Sequence, residues 1–208
     1  MASIEIIIVK YNNKDYEDET ISQVLNTVDI PYHLTVYENF ERDGNLSTVW
    51  NDLIRRSDAE YIILLNNDTV PSDKWAEKLI GSLKDKKVGA VGAISNRAGG
   101  MQGGHKEAQK EPCIQQASQL SGFCMAFRKE VWEKVGGFDE RYKLYGEDSD
   151  FCNRLKKAGY NLFIRFDTFI YHHKAKSQPV AEAKGKDIEK IKRESQALFK
   201  KIWSQSSL

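Results

Sequence analysis

No stretch of this sequence is apolar for long enough to cross a membrane. The longest strongly apolar runs, Ile4 to Val9 and Tyr61 to Leu65, fall far short of the roughly 18 residues a spanning helix needs. A basic start followed by a longer apolar core and a small-residue cleavage site is also lacking, so no export signal is read and a cytoplasmic protein is expected. Cysteine is scarce. Cys113, Cys124 and Cys152 are odd in number, widely separated and free of any CxxC or Cys/His pattern, which excludes a disulfide framework and a zinc site of ordinary spacing. An excess of either charge is lacking too: 31 Lys and Arg stand against 30 Asp and Glu, so no overall positive field exists to hold nucleic acid by its phosphates. An anionic ligand has to be met by local chemistry.

What is present is the balance of a globular protein, with 40% apolar and 29% charged residues over 208 positions, enough for one substantial core. One domain over residues 1–208 is expected, with neither linker nor repeat. Its opening run, Ile4 to Val9, does not alternate, which suits a strand buried on both faces. Asn12-Asn13 ends it. Helical spacing follows from Asp15 to Val28, then a strand at His33 to Tyr37, a helix through Val49, Trp50, Leu53 and Ile54, and a strand at Tyr61 to Leu65. This alternation predicts βαβ units on one parallel sheet, with ligands beyond the carboxyl ends of the strands.

Further on, Trp75 to Leu83 reads as a helix and Val88 to Ile94 as a buried strand. Asn96 to Gly104 holds four glycines and, with His105 to Pro112, lacks any period, which predicts a mobile loop. Order resumes at Leu120 to Phe127, Glu147 to Ala158 carries helical spacing, and Leu162 to Tyr171 reads as a final strand pair. From Ala181 to Trp203 the residues Ile188, Ile191, Leu198, Phe199 and Ile202 share one helical face among lysines. That pattern fits a terminal helix packed on the core, or one making peripheral contact with an anionic membrane.

Three clusters carry chemistry. At the end of the third strand, alternation puts Asn66 and Asp68 on one face and Asn67 on the other. Their oxygens suit Mg²⁺ or Mn²⁺, although Asn-Asn-Asp-Thr before Pro71 is also good turn chemistry. Tyr145-Gly-Glu-Asp-Ser-Asp150 sets three carboxylates at a helix start, where they either cap it or, by mutual repulsion, become bases. Tyr171-His172-His173 closes the last strand, and imidazole there can join carboxylates around manganese.

At these residues the sequence resembles the inverting glycosyltransferases of the family 2 type with the GT-A fold, especially rhamnosyltransferase-like members. The resemblance runs from Ile4 to about Ser177. Four motifs occur in the family's order: the opening strand with Tyr11-Asn12-Asn13, Leu64-Leu65-Asn66-Asn67-Asp68-Thr69, the segment Ser121 to Glu140 (SGFCMAFRKEVWEKVGGFDE), and Tyr145-Gly-Glu-Asp-Ser-Asp-Phe-Cys-Asn-Arg154. The resemblance implies an α/β fold with a Rossmann-like, mostly parallel sheet. A donor half would occupy about 1–95, an acceptor half about 113–180 and a C-terminal helix about 181–204.

It further implies Mn²⁺ or Mg²⁺ held by Asp68, Asn66 and His172, with His173 a second choice. Tyr11 and Glu38 or Asn39 would line the pocket for base and ribose, and Asn66, Asn67, Ser121 and Gly122 would complete the donor site. Asp148 would deprotonate the acceptor hydroxyl while Glu147 orients it. The donor would be a UDP or dTDP sugar, and the acceptor a polysaccharide, a protein-linked glycan or a lipid-linked sugar. Two departures stand out: Glu38-Asn39-Phe40-Glu41 matches the family's usual acidic residue and Asn-Gly-Ser only in part, and Asn66 replaces an aspartate. A catalytically silent sugar-nucleotide or glycan binding module is the alternative. A nucleotidyltransferase is disfavoured, because Tyr11-Asn12-Asn13-Lys14 is no Gly-rich phosphate loop.

Overall fold

The computed structural model describes residues 3–40, 45–173 and 176–204. Its strands are β1 (Ile4–Lys10), β2 (His33–Glu38), β3 (Tyr61–Asn66), β4 (Thr69–Pro71), β5 (Val88–Ile94), β6 (Ile114–Ala117), β7 (Cys124–Arg128) and β8 (Asn161–His172). The helices are α1 (Lys14–Thr27), α2 (Leu46–Arg56), α3 (Trp75–Ser82), α4 (Lys129–Lys134), α5 (Glu147–Lys157), α6 (Gln178–Ala183) and α7 (Ile188–Trp203). The strands lie in the order β2-β1-β3-β7-β5-β8-β4, with β6 against β8.

The sheet is mixed: β1, β2, β3, β5 and β8 run one way, as a mostly parallel sheet requires, and β4, β6 and β7 run the other. Pairs β1–β2, β1–β3 and β5–β8 are parallel, while β3–β7, β5–β7, β4–β8 and β6–β8 are antiparallel. Strand and helix alternate through β5 except where the short β4 follows β3 directly. Beyond β5 the chain reaches β7 through a long segment that holds β6 but no crossover helix, so β7 enters between β3 and β5 in the opposite sense.

Both faces of the sheet are covered, as the unalternating runs required. Ile7, Ile62, Leu64, Met125 and Phe127 pack with Trp50, Ile54, Phe151 and Leu155 on one face. On the other, Ile6, Ile8, Ile63 and Leu65 pack with Val24, Trp75 and Leu79. Each fully buried aliphatic side chain contributes about 1.5–3 kcal/mol. Arg128 is buried among them with its charge satisfied: it donates to the carbonyls of Leu83, Asp85, Lys86 and Val88 and to Glu130.

Three local expectations change. The final strand pair is one continuous strand, β8, because its first half pairs with β5 and its end pairs with β4. The terminal helix is two helices, interrupted near Gly185, whose φ of +81° is a left-handed turn. The four-glycine stretch is a compact clip rather than a mobile loop: Gln102 is only 1% exposed, and Ser95 and Asn96 bond the backbone of Gln102, Gly104 and His105. Glycine serves close approach here, since a Cβ on Gly103 would lie 2.2 Å from the Ala98 carbonyl oxygen.

The apolar residues of α7 turn onto the protein. Ile188 is buried, Ser195 bonds the Leu144 carbonyl, and the Trp203 indole donates to Asp150. The helix is thus packed on the core, with Ile191, Leu198, Phe199 and Ile202 half-buried and its outer face largely charged. Among the described residues no helix is long and apolar enough to cross a membrane.

Candidate functional site

Strand direction gathers the site. The carboxyl ends of β1, β2, β3, β5 and β8 share one edge of the sheet, and β7, running oppositely, places the residues just before it on that same edge. Asn66 (end of β3), Gly122 and Phe123 (before β7), Arg97 (after β5) and His172 (end of β8) therefore converge. The start of α5 joins them. A pocket of about 620 Å³ is lined by these residues together with Tyr11, Asn39, Asn67, Asp68, Ser121, Glu147 and Asp148, within the usual range for small-ligand sites.

At one part of this pocket, His172 Nε2 lies 3.1 Å from Asp68 Oδ1, and His172 Nδ1 lies 2.9 Å from the Arg97 carbonyl oxygen. A carbonyl can only accept, so Nδ1 carries hydrogen and, in the neutral ring, Nε2 turns its lone pair to the carboxylate. Two acceptors so placed call for a proton or a cation between them. Phe123 stacks on the imidazole, and Asn96 grips both the N–H and the carbonyl of His172. Histidines oriented through a backbone carbonyl in this way are typical metal ligands. Asn66 also lines this pocket. Among the described residues no three His, Cys, Asp or Glu side chains gather as a metal cage. A cation here would therefore complete its shell with ligand oxygens and water, as Mg²⁺ does.

The turn expected of Asn66 to Thr69 is present. Thr69 Oγ1 closes a turn on the Asn66 carbonyl, and that turn carries Asp68 into the pocket. Asn67 does not point away as strand alternation predicted, because the strand stops at Asn66. Its amide donates instead to Glu17 Oε1 at 2.9 Å.

The acidic cluster divides. Asp150 is structural, bonded to Arg154 and Trp203. Glu147 and Asp148 line the pocket at the first turn of α5, whose cap residue Gly146 offers no side chain. Asp148 accepts from Gly122 N at 2.9 Å and from Ser149 N at 2.7 Å. Burial raises its carboxyl above the ordinary range, and these bonds oppose the rise. Glu147 has less support: its own backbone N–H favours the charged form, but its Oε2 is buried without a partner. Burial first, and the Asp148 charge second, push it up to about 8. Both carboxyls are thus raised by burial, but Asp148 is held by more donors than Glu147, the kind of asymmetry that can divide acid and base roles.

Tyr11 and Asn39 line the pocket, but Glu38 does not. It lies exposed at the strand end, accepting from Phe40 N and paired with Lys10. The Ser121 and Gly122 amides face side chains, Gln102 and Asp148 respectively.

Two contributions escaped the sequence reading. Glu17, 1% exposed, accepts at Oε1 from Tyr11 N, Asn13 N and Asn67, tying the first strand's loop to the Asp68 turn. Its signal was a carboxylate on the inward stripe with Ile21 and Val24. The segment Ser177 to Ile191 forms one wall of the pocket, with the Lys184 and Lys186 ammonium groups over the Tyr11 ring at 5.9 and 5.1 Å. Lysines scattered through a terminal helix carry no signal for that placement.

Similarity to known proteins agrees with this geometry. A mycobacterial N-acetylglucosaminyl-diphospho-decaprenol L-rhamnosyltransferase (Mycobacterium tuberculosis) is 40% identical over 73 residues, 35% of this chain and 24% of its own length. The O-antigen biosynthesis protein RfbC of Myxococcus xanthus is 25% identical over 203 residues, 84% of this chain and 15% of its own. The chain thus spans under a quarter of either relative. Crystal structures of GalNAc-T7 with UDP, GalNAc and Mn²⁺ and of S. aureus TarS 1-349 superpose at TM-scores of 0.66 and 0.63. Each is 13% identical and covers 83% of this chain, which covers 44% and 60% of theirs. The mixed sheet flanked by helices is the GT-A glycosyltransferase fold. Residues 1–186 match the profile described as "Glycosyltransferase like family 2", and with the convergence of its motifs on one pocket, the chain belongs to that family.

Proposed function

We propose that this chain is one GT-A domain that transfers a sugar, with inversion, from a UDP or dTDP sugar to a hydroxyl of a glycan acceptor. The observation that carries the reading is the meeting of Asp68 and His172 with Glu147 and Asp148 in one pocket. A Mn²⁺ or Mg²⁺ ion held by Asp68, Asn66 and His172 would neutralise charge gathering on the departing nucleoside diphosphate. Tyr11 and Asn39 flank base and ribose, Asn67, Ser121 and Gly122 border the donor, and Glu38 stays at the rim.

Asp148 is the base. Its three hydrogen bonds favour the ionised form, so it takes the proton of the acceptor hydroxyl as that oxygen bonds to the anomeric carbon. The bond from that carbon to the diphosphate oxygen breaks with its electrons leaving on the diphosphate. One displacement inverts the centre. Glu147, holding its proton near neutrality, donates a hydrogen bond that orients the acceptor.

The relatives lend support to the substrate class. The mycobacterial protein is named for rhamnosyl transfer to a diphospho-decaprenol-linked sugar, and GalNAc-T7 crystallised with UDP and Mn²⁺. They support reading the donor as a deoxyhexosyl or hexosyl nucleotide and the acceptor as lipid-linked or polysaccharide. A thermal-shift panel of UDP and dTDP sugars, with and without Mn²⁺, tests it. One donor should raise the melting temperature in a Mn²⁺-dependent way and release its nucleoside diphosphate on incubation with acceptor. Binding without release of the diphosphate would mark a silent binding module, and no donor effect at all would refute the reading.

A further inference from the structure

The proposed base does not hold its position alone. Its Oδ2 takes the Gly122 N–H at 2.9 Å, and the neighbouring peptide N–H, of Ser121, donates to Gln102 Oε1 at 2.7 Å. Gln102 Nε2 in turn donates to the Ala93 carbonyl, at the end of β5, at 2.8 Å. The orientation of this amide is not ambiguous: Ser121 offers only a donor and Ala93 only an acceptor, so the oxygen must face the first and the nitrogen the second. The side chain is also wedged in place. A Cβ on Gly92 would come within 2.5 Å of Nε2 and 3.2 Å of Leu120 Cδ2, and Gly92 sits in β5 between β7 and β8, where the backbone has no room to yield.

We infer that Gln102 is a positioning residue, which through the Ser121-Gly122 peptide sets where Asp148 stands and how firmly it is held. The inference rests on the reading of Asp148 as the base. It gives the four-glycine clip a task. Gly103 lets the clip pack down on Ala98, which delivers Gln102 to the interior, and the same clip reaches His172 through Asn96. Leu120 is clasped from the other side by Cys152, one turn along α5 from Asp148. The residues 120–122 are therefore gripped between α5 and Gln102.

The test reads Asp148 itself. Carboxyl ¹³C shifts of Asp-labelled protein are followed against pH in the wild type, Gln102→Met and Gly92→Ala, with the Asp148 signal assigned from Asp148→Asn. The titratable or charged groups sharing its pocket or its helix turn are Glu147, Asp150, Cys152, Tyr11, Tyr145, Arg97, Lys143, Lys186, Asp68 and His172, and none of them is altered by either substitution. Loosening the Gly122 bond removes a donor that favours the carboxylate, so the Asp148 midpoint moves upward in both variants while far-UV circular dichroism stays native. A wild-type midpoint in either folded variant overturns the inference, and if one variant fails to fold the other decides. Transfer retained by Asp148→Asn would instead sink the proposed base, a result independent of the midpoints.

Discussion

Glu147 should make this protein less stable as pH rises, and Glu147→Gln should remove the effect. The carboxyl is 6% exposed, one oxygen has no partner, and its proton is held up to about 8 against an ordinary 4.5. The folded state thus binds this proton more tightly than the unfolded chain does. The stabilisation is fully present below pH about 4.5 and is lost as pH rises through about 8. At about 1.4 kcal/mol for each pH unit, the whole interval amounts to about 5 kcal/mol at most. That is a large share of a typical folding free energy of roughly 5–15 kcal/mol. Asp148 shares the proton equilibrium, so some of the change spreads over the pair. Urea titrations followed by circular dichroism from pH 5 to 9 supply the measurement. Glu147→Gln should exceed the wild type by a few kcal/mol at pH 9 and match it near pH 5. Parallel curves for the two proteins would show that the buried carboxyl carries no such proton, and the assignment of Asp148 as the ionised partner would lose its basis.

Asp148→Asn should lower sugar transfer by about 10²–10⁴-fold while the dissociation constant for the donor, measured by calorimetry, changes little. His172→Ala removes an imidazole whose Nε2 lies 3.1 Å from Asp68 Oδ1; Mn²⁺ affinity, read from the Mn²⁺-dependent thermal shift, should fall about 10–100-fold. Gly103→Ala places a methyl group 2.2 Å from the Ala98 carbonyl oxygen and should cost about 1–3 kcal/mol, with faster proteolysis between residues 96 and 112 as the companion readout. Unchanged cleavage there would mean that the clip is not closed in solution.

Part of the site was legible because its signals are local. Asp68, Glu147, Asp148 and His172 each sit at the end or start of an element whose period is visible in the chain, and the end of a buried strand is where ligands meet an α/β sheet. The same logic failed for Asn67, since alternation was carried one residue past the point where β3 stops and the turn begins. It failed for Asn96 to Gly104 because glycine marks both freedom and close approach, and only the neighbouring Ala98 backbone tells them apart.

The sequence by itself determined that Ile4 to Val9 and Tyr61 to Leu65 would be covered on both faces, that helices would do the covering, and which polar residues would stand at their ends. Those are consequences of side-chain period and burial, which act over a few residues. Tertiary structure alone decided that β7 would enter the sheet backwards, that Glu17 would reach Asn67 across 50 positions, that Asp68 would meet His172 across 104, and that Ser177 to Ile191 would wall the pocket. Such contacts depend on how separate elements pack, and no periodicity in the chain records which distant residue will arrive opposite another.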